Sequence, residues 1–307
     1  MRDVPFLGHE EIVALDLPLD RLFAAVEAAF VEHARGAFEM PPKVGIHTRP
    51  GTFIHAMPAY LKSLGACGMK WVSGYPENAG RGLPTIAGLM ILNDPETGLP
   101  KAILDARWIT AVRTGIVSAL IVRTCARPGA RTLAVAGCGV QGRHHAEAIL
   151  HVLPGIEEVR LFDVRAESAE ALRAEIGARA RVCATPEACL RGADVAATCT
   201  SGKALEVEDG WLPPGGTAVG VDSHIAWGRL FGTIDKFVMD DERQAREFEK
   251  AGKYPGGLPR IHAELGQILA GARPGREGGS ERILGLPLGL AIADLAVAAL
   301  VWRTAGE

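Results

Sequence analysis

The sequence predicts an α/β protein in two parts: a doubly wound, parallel-stranded domain and, ahead of it, a smaller α+β domain. Three observations lead there. From residue 132 onward, strand-like and helix-like segments alternate, the pattern of a parallel sheet covered by helices. Between residues 38 and 106 the apolar runs follow one another through turn residues, the pattern of an antiparallel sheet. Gly makes up 37 of 307 residues, well above the usual ~7%, which fits a chain with many tight turns and close backbone approaches.

The first element is a helix over residues 20–35, with Leu22, Phe23, Val26 and Phe30 at helical spacing, Asp20 as its cap and Gly36 as its end. A strand region over 44–60 is broken at Arg49-Pro50-Gly51. Apolar strands follow over 66–73, 86–93 and 101–105, the last two joined by a turn containing Asn93-Asp94 and Thr97-Gly98. A helix occupies 108–125. At Arg127-Pro128-Gly129 the pattern changes. Strands at 132–136, 159–163 and 182–184 alternate with helices at 140–153, 166–176 and 186–191, the last with Thr185 as cap and Pro186 in its first position. Further strands fall at 195–199, 217–221 and 236–239. After a polar loop at 271–280, an apolar helix from about Leu288 returns to the first domain. The expected division is 1–120 with 288–307, and 121–287.

Composition excludes several classes. Lys+Arg is 33 and Asp+Glu 36, a net charge of −3; nucleic-acid binding, which needs a basic excess, is not expected. With 48% hydrophobic and 22% charged residues the chain is not disordered. Residues 283–302 carry a single charge, Asp294, but Gly285, Pro287 and Gly289 crowd the first half, so a buried helix is expected and no membrane span. None of the six cysteines forms a C-x-x-C pair. They read as small hydrophobes in a reducing compartment, the cytoplasm, and the opening MRDVPFLGHEE lacks the apolar run of a signal peptide. His144 and His145 point about 100° apart on a helix, and no H-E-x-x-H occurs, so no metal site is expected.

Gly137-Cys138-Gly139-Val140-Gln141-Gly142 is a complete G-x-G-x-x-G between a strand and a helix. An acid, Asp163, closes the next strand 21 residues after Gly142, against about 20 for a Rossmann dinucleotide site. Gly137 permits the tight turn, Gly139 lets a pyrophosphate approach, and Gly142 lets helix pack on strand. The pyrophosphate belongs at the helix N-terminus. Asp163 would accept from ribose hydroxyls and repel a 2′-phosphate, which favours NAD over NADP. Arg165 is open to two readings, a phosphate ligand or a solvated side chain.

Upstream and downstream motifs then become recognisable. Residues Met69-Lys70-Trp71-Val72-Ser73-Gly74-Tyr75-Pro76, Thr97-Gly98 with Pro100, Ile109-Thr110-Ala111-Val112-Arg113-Thr114-Gly115, Val219-Gly220-Val221-Asp222, Val238-Met239-Asp240 and Gly289-Leu290-Ala291-Ile292-Ala293-Asp294-Leu295 resemble the ornithine cyclodeaminase/μ-crystallin family, in order and over nearly the whole chain. The resemblance implies a Rossmann domain beside a substrate-binding and dimerisation domain, hence a homodimer. It implies a small α-amino or imino acid as substrate. Arg113 matches the carboxylate-binding Arg, whose planar fork suits bidentate contact. Lys70 matches a lysine near the carboxylate and reacting centre, where burial lowers its pKa. Asp222 matches the proton-handling Asp. Thr114 matches a cofactor-phosphate residue, and Cys199, Thr200, Ser201 and Val221, at strand ends, are expected along the cofactor.

Two departures bear on specificity. Lys43 stands where the ornithine enzyme has a second carboxylate-binding Arg. His55, two residues before Met57-Pro58, stands where that enzyme has a Glu for the distal ammonium; a His suits a carboxylate or hydroxyl better. Lys43, His55, Met57, Lys70 and Arg113 are therefore the expected substrate residues, with Lys70 and Asp222 catalytic. The expected function is NAD-dependent interconversion of a small α-amino acid and its imino or 2-oxo acid. The alternatives are an ornithine cyclodeaminase and a non-catalytic μ-crystallin-like binding protein.

Overall fold

The computed structural model describes residues 3–200, 205–221, 226–254 and 256–306. The chain divides into two compact units, Met1–Arg113 with Gly289–Glu307, and Thr114–Leu288. The first boundary falls between Arg113 and Thr114 rather than at 120–121. It lies inside a continuous helix, so no turn residue marks it.

In the first unit β1 (Phe6–Leu7), α1 (His9–Ala14) and α2 (Leu19–Ala34) precede β2 (Phe38–Glu39), β3 (Val44–Ile46), β4 (Phe53–Leu61), β5 (Ala66–Gly74), β6 (Ile86–Asn93) and β7 (Pro100–Asp105), and α3 (Arg107–Cys125) follows. The sheet runs β1-β7-β6-β5-β4-β2, with β3 also on β4. All pairs are antiparallel except β1 on β7. Helix α2 starts at Leu19 on Pro18. Asp20 therefore does not cap it but lies in the first turn, where its charge suits the helix dipole. Gly36, at φ +69°, ends it.

The strands obey period two. In β5, Gly68, Lys70 and Val72 are buried while Trp71 between them is exposed. Register sets Met57, Lys70, Met90 and Leu104 in one row across β4 to β7 on the covered face. Pro58 sits in the middle of β4 yet leaves no ladder bond unmade: β3 pairs only with residues 54–56 and β2 only with 60–61. That gap is where the segment carrying Lys43 leaves the sheet.

The second unit contains β8 (Thr132–Ala136), α4 (Val140–Val152), β9 (Glu158–Phe162), α5 (Ala166–Ile176), β10 (Ala180–Val182), α6 (Pro186–Leu190), β11 (Val195–Thr198), β12 (Thr217–Gly220), β13 (Lys236–Met239), α7 (Glu242–Lys250), β14 (Ile261–Glu264), α8 (Leu265–Leu269) and β15 (Ile283–Leu286). Its sheet, β10-β9-β8-β11-β12-β15-β13-β14, is parallel throughout. Thr185 caps α6 by accepting from the Ala188 N–H at 3.0 Å. Strand β10 lies two residues ahead of its expected place. Strand β15 falls in the stretch read as a helix lead-in. Gly285 is not a breaker there: a Cβ on it would sit 2.7 Å from Ile121 Cγ2, so the glycine lets β15 lie against α3.

The chain closes with α9 (Ala291–Ala305), which packs on β4, β5 and β6 and against α2. Among the described residues α3 is the one helix long and apolar enough to cross a membrane, and 78% of that stretch is buried within the fold.

Candidate active site

The covered face of the first sheet holds a buried charge cluster. Lys70 projects from β5 onto the face that α9 covers, and Asp294 is in the first turn of α9. Lys70 Nζ donates to Asp294 Oδ1 at 2.7 Å, and Arg113 Nε, from α3, donates to the same oxygen at 2.8 Å. The three side chains are 1%, 0% and 7% exposed. Two cations thus share one carboxylate oxygen out of water. Asp294 Oδ2 is buried and has no hydrogen-bond partner among the described residues. Gly289, at φ +77°, completes the arrangement: a Cβ there would lie 2.8 Å from Arg113 Nη1. A side chain at this position would be strained and would push the guanidinium aside.

The charges shape the titration. Burial, aided by Arg113 and opposed by Asp294, lowers the Lys70 pKa to about 7, with Lys43 adding a further downward push. Burial alone would raise the Asp294 pKa, but the charges and hydrogen bonds of Arg113 and Lys70 prevail and hold its carboxyl below the usual carboxylate range. The cluster therefore carries one net positive charge when its lysine is protonated and none when it is not, and that change falls near neutrality. That suits an anionic substrate whose neighbouring atom exchanges protons.

Met57 faces Lys70 directly across β4 and β5. His55 is two residues along on the same face, partly buried, its ring stacked on Phe53 with centroids 4.4 Å apart. Gly45 opposite leaves room for it: a Cβ would meet His55 Cδ2 at 2.2 Å.

In the second unit the strand order reverses at β8, and α/β sheets bind ligands beyond the carboxyl ends at such a point. Gly137 leaves β8 at φ +94°, and a Cβ on it would lie 2.6 Å from the Cys199 carbonyl and 3.0 Å from the Thr200 nitrogen. The glycine loop and the end of β11 therefore meet. Val221 follows β12 and donates its N–H to the Thr198 carbonyl at 3.1 Å. Gly142 could not carry a side chain, since a Cβ would be 1.9 Å from the Gly137 carbonyl, whereas a Cβ on Gly139 would meet nothing within 4 Å. Gly139 caps α4 with no side-chain bond, which leaves the amides of Val140 and Gln141 at the helix start for an anion.

Asp163 is fixed at the end of β9. Its Oδ2 accepts from the Cys138 N–H at 2.7 Å and its Oδ1 from the Arg165 N–H at 2.9 Å. Arg165 is exposed, and its guanidinium has no partner among the described residues. On α3, Gly115 follows Thr114 and packs against α4, with a would-be Cβ 2.5 Å from the His144 carbonyl. An open backbone cradle, a capless helix start and an acid beside it fit a dinucleotide whose ribose hydroxyls meet Asp163. Asp222 and Ser201 lie outside the described residues. Among the described residues no cluster of three metal-ligating side chains occurs.

The sequence does not single out Asp294 or Gly289 for a role. The signal was present: one charge in an otherwise apolar run must find a partner when buried.

An α/β unit with a dinucleotide cradle, together with an α+β unit holding a buried pair of cations, defines a dinucleotide-dependent oxidoreductase. The chain belongs to the ornithine cyclodeaminase/mu-crystallin family, whose model matches residues 5–307. It is 36% identical to the alanine dehydrogenase of Archaeoglobus fulgidus, over 97% of this chain and 94% of that protein. The solved structure of Thermococcus litoralis Δ1-pyrroline-2-carboxylate reductase in complex with NADH and L-proline superposes with a TM-score of 0.89 at 29% identity, over 99% of this chain and 98% of that one. An archaeal alanine dehydrogenase dimer with bound NAD gives 0.88 at 34% identity, over 98% and 96%.

Proposed function

We propose that this protein is an NAD-dependent oxidoreductase that interconverts a small α-amino acid and its imino or 2-oxo acid. In the reductive direction a 2-oxo acid, ammonium, NADH and a proton give the amino acid, NAD and water. The observation that carries the reading is the buried Lys70–Arg113 pair on Asp294. A 2-oxo or imino acid presents a carboxylate next to the reacting carbon. Arg113, with Lys43, offers it cationic donors, and Lys70, with its pKa lowered to about 7, can give or take the proton beside it. Relatives that bear the names alanine dehydrogenase and pyrroline-2-carboxylate reductase act on substrates of this kind.

When bound, reduced nicotinamide supplies the hydride for the α-carbon. Gly137, Gly139 and the α4 amides would hold the pyrophosphate, Thr114 a phosphate, and Asp163 the ribose; Cys199, Thr200, Ser201 and Val221 would line the cofactor. Asp222 is assigned the second proton-handling role from its motif. His55 and Met57 would face the substrate side chain, and a His there argues against an ω-ammonium substrate such as ornithine.

We also assign the active form as a homodimer. The outward face of the first sheet is apolar, with Val44, Ala56, Trp71 and Leu89 in one row and Val44, Trp71 and Leu89 exposed. Light scattering tests this, and a monomer at micromolar concentration overturns it.

The deciding assay is NADH consumption with ammonium and a panel of 2-oxo acids and cyclic imines. Turnover on one of them, abolished in Asp222→Ala, supports the reading. Silence, with proline and ammonia formed from ornithine at no net cost of NAD, would replace it with a cyclodeaminase.

A further inference from the structure

We propose that Asp294 is a positioning residue for this reaction: through Oδ1 it holds the Lys70 amine and the Arg113 guanidinium side by side and fixes the protonation state in which Lys70 meets the substrate. The proposal rests on the assignment of Lys70 and Arg113 to the substrate site.

The geometry carries it. Three elements distant in sequence converge on one atom, with β5, α3 and α9 each contributing one charge. Asp294 is wholly buried, so it does not reach solvent and acts through the two cations it holds. Around Lys70 stand Arg113 from α3, Asp294 from α9 and Lys43 from the segment ahead of β3; the residues opposite it on β4 and β6 are Met57 and Met90, which carry no charge. Asp294 is therefore the one anion among the described charges acting on Lys70. Without it, burial, Arg113 and Lys43 all act in the same direction, toward the neutral amine. A carboxylate serving only to tie α9 to the sheet would have no need to bind both cations through one oxygen. That arrangement sets the spacing between the two groups that meet a carboxylate and the carbon beside it.

The test is Asp294→Asn, which preserves shape and an acceptor oxygen and removes the charge. The Lys70 pKa is read by NMR titration of lysine labelled with carbon-13 at Cε from about pH 5 to 9, with the resonance assigned by its loss in Lys70→Met, on the protein without substrate or cofactor. The expected result is a fall of at least about one pH unit, a tenfold change in the ratio of neutral to charged amine. The limb of the kcat/KM profile assigned to Lys70 moves to lower pH by a similar amount in either reaction direction. Binding of NADH, read by fluorescence, stays within about twofold. An unchanged Lys70 pKa overturns the proposal.

If Asp294→Asn does not fold, Asp294→Glu decides. It keeps the charge but displaces the oxygen, so the Lys70 pKa should hold within about half a pH unit while kcat falls at least tenfold; undiminished kcat overturns the proposal. The NMR titration needs no turnover. A protein inactive on every 2-oxo acid yet showing the fall in pKa would refute the proposed reaction and leave the Asp294–Lys70 coupling standing. Normal turnover without that fall would do the reverse.

Discussion

Lys70→Met offers a direct test of the charge cluster through stability. Folded, Lys70 is fully buried with its pKa lowered to about 7; unfolded, it titrates near 10.4. Between those values the unfolded chain binds more protons than the folded one, so the stability this site contributes rises with pH across that window. Below about pH 7 the lysine is charged in both states, and the cost of burying the ammonium is present in full. A tenfold difference in proton affinity between the two states corresponds to 1.36 kcal/mol, which gives on the order of 5 kcal/mol over the whole window and about 2–3 kcal/mol between pH 7 and 9. Methionine has similar reach, leaves Asp294 paired with Arg113 and does not titrate. Urea denaturation of both proteins at about pH 7 and 9 isolates the effect, because the remaining titrations are common to both and cancel in the difference. The wild-type protein should gain about 2–3 kcal/mol on the variant over that interval. A difference that stays flat would refute the lowered pKa, and with it the view of Lys70 as a group poised near neutrality.

Three further perturbations address the two units separately. Gly139→Ala should leave the unfolding free energy within about 0.5 kcal/mol of wild type, since its Cβ meets nothing in the protein, yet raise the NADH dissociation constant tenfold or more; unaltered affinity by calorimetry would mean that the cofactor does not pass over this residue. Asp163→Ser removes the carboxylate that opposes a 2′-phosphate and leaves Arg165 free to meet one, so the NADPH/NADH ratio of kcat/KM should rise at least about tenfold; loss of the bonds to the Cys138 and Arg165 amides should cost about 1–3 kcal/mol in urea denaturation. A ratio that does not move would remove Asp163 from cofactor choice. His55→Glu places an anion beside the substrate side chain, so KM should rise about tenfold for the best 2-oxo acid bearing a polar or acidic side chain and fall for ω-amino substrates; unchanged ranking across the panel would place the side chain elsewhere.

Where local chemistry dictated the fold, the sequence was legible. The alternation in β5, the Thr185-Pro186 start of α6 and the G-x-G-x-x-G between β8 and α4 each depend on residues adjacent in the chain, and each element appears where its residues place it. The end of β9 is legible for the same reason: the acid expected to close that strand stands there, its carboxylate accepting from the Cys138 and Arg165 amides. The less legible parts depend on distant partners. Ile261–Glu264 is a strand because β13 lies beside it, and Ile283–Leu286 because it fills the place between β12 and β13. Neither has the length or alternation to announce itself. The unit boundary was displaced because α3 runs through it without interruption.

The site divides along the same line. Lys70 and Arg113 could be marked individually, since each sits in a recognisable run, but what joins them is contributed by α9, 181 residues beyond Arg113. In the sequence Asp294 reads chiefly as a charge that spoils an apolar stretch. Physically that is its strongest feature. An isolated carboxylate buried in an apolar helix costs several kcal/mol or more, so a helix that keeps one must bring it to cations that already need an anion. Lys70, itself buried on a sheet face lined by Met57 and Met90, is such a cation, and Arg113 is the second. Each of the three would be untenable alone in this interior, and none of the three elements supplies both charges. The pairing of α9 with the sheet is consequently specified by electrostatics as well as by apolar fit. Deleting the Asp294 charge should thus weaken α9 docking and lower the Lys70 pKa together, whereas an apolar cavity made elsewhere under α9 should weaken docking alone.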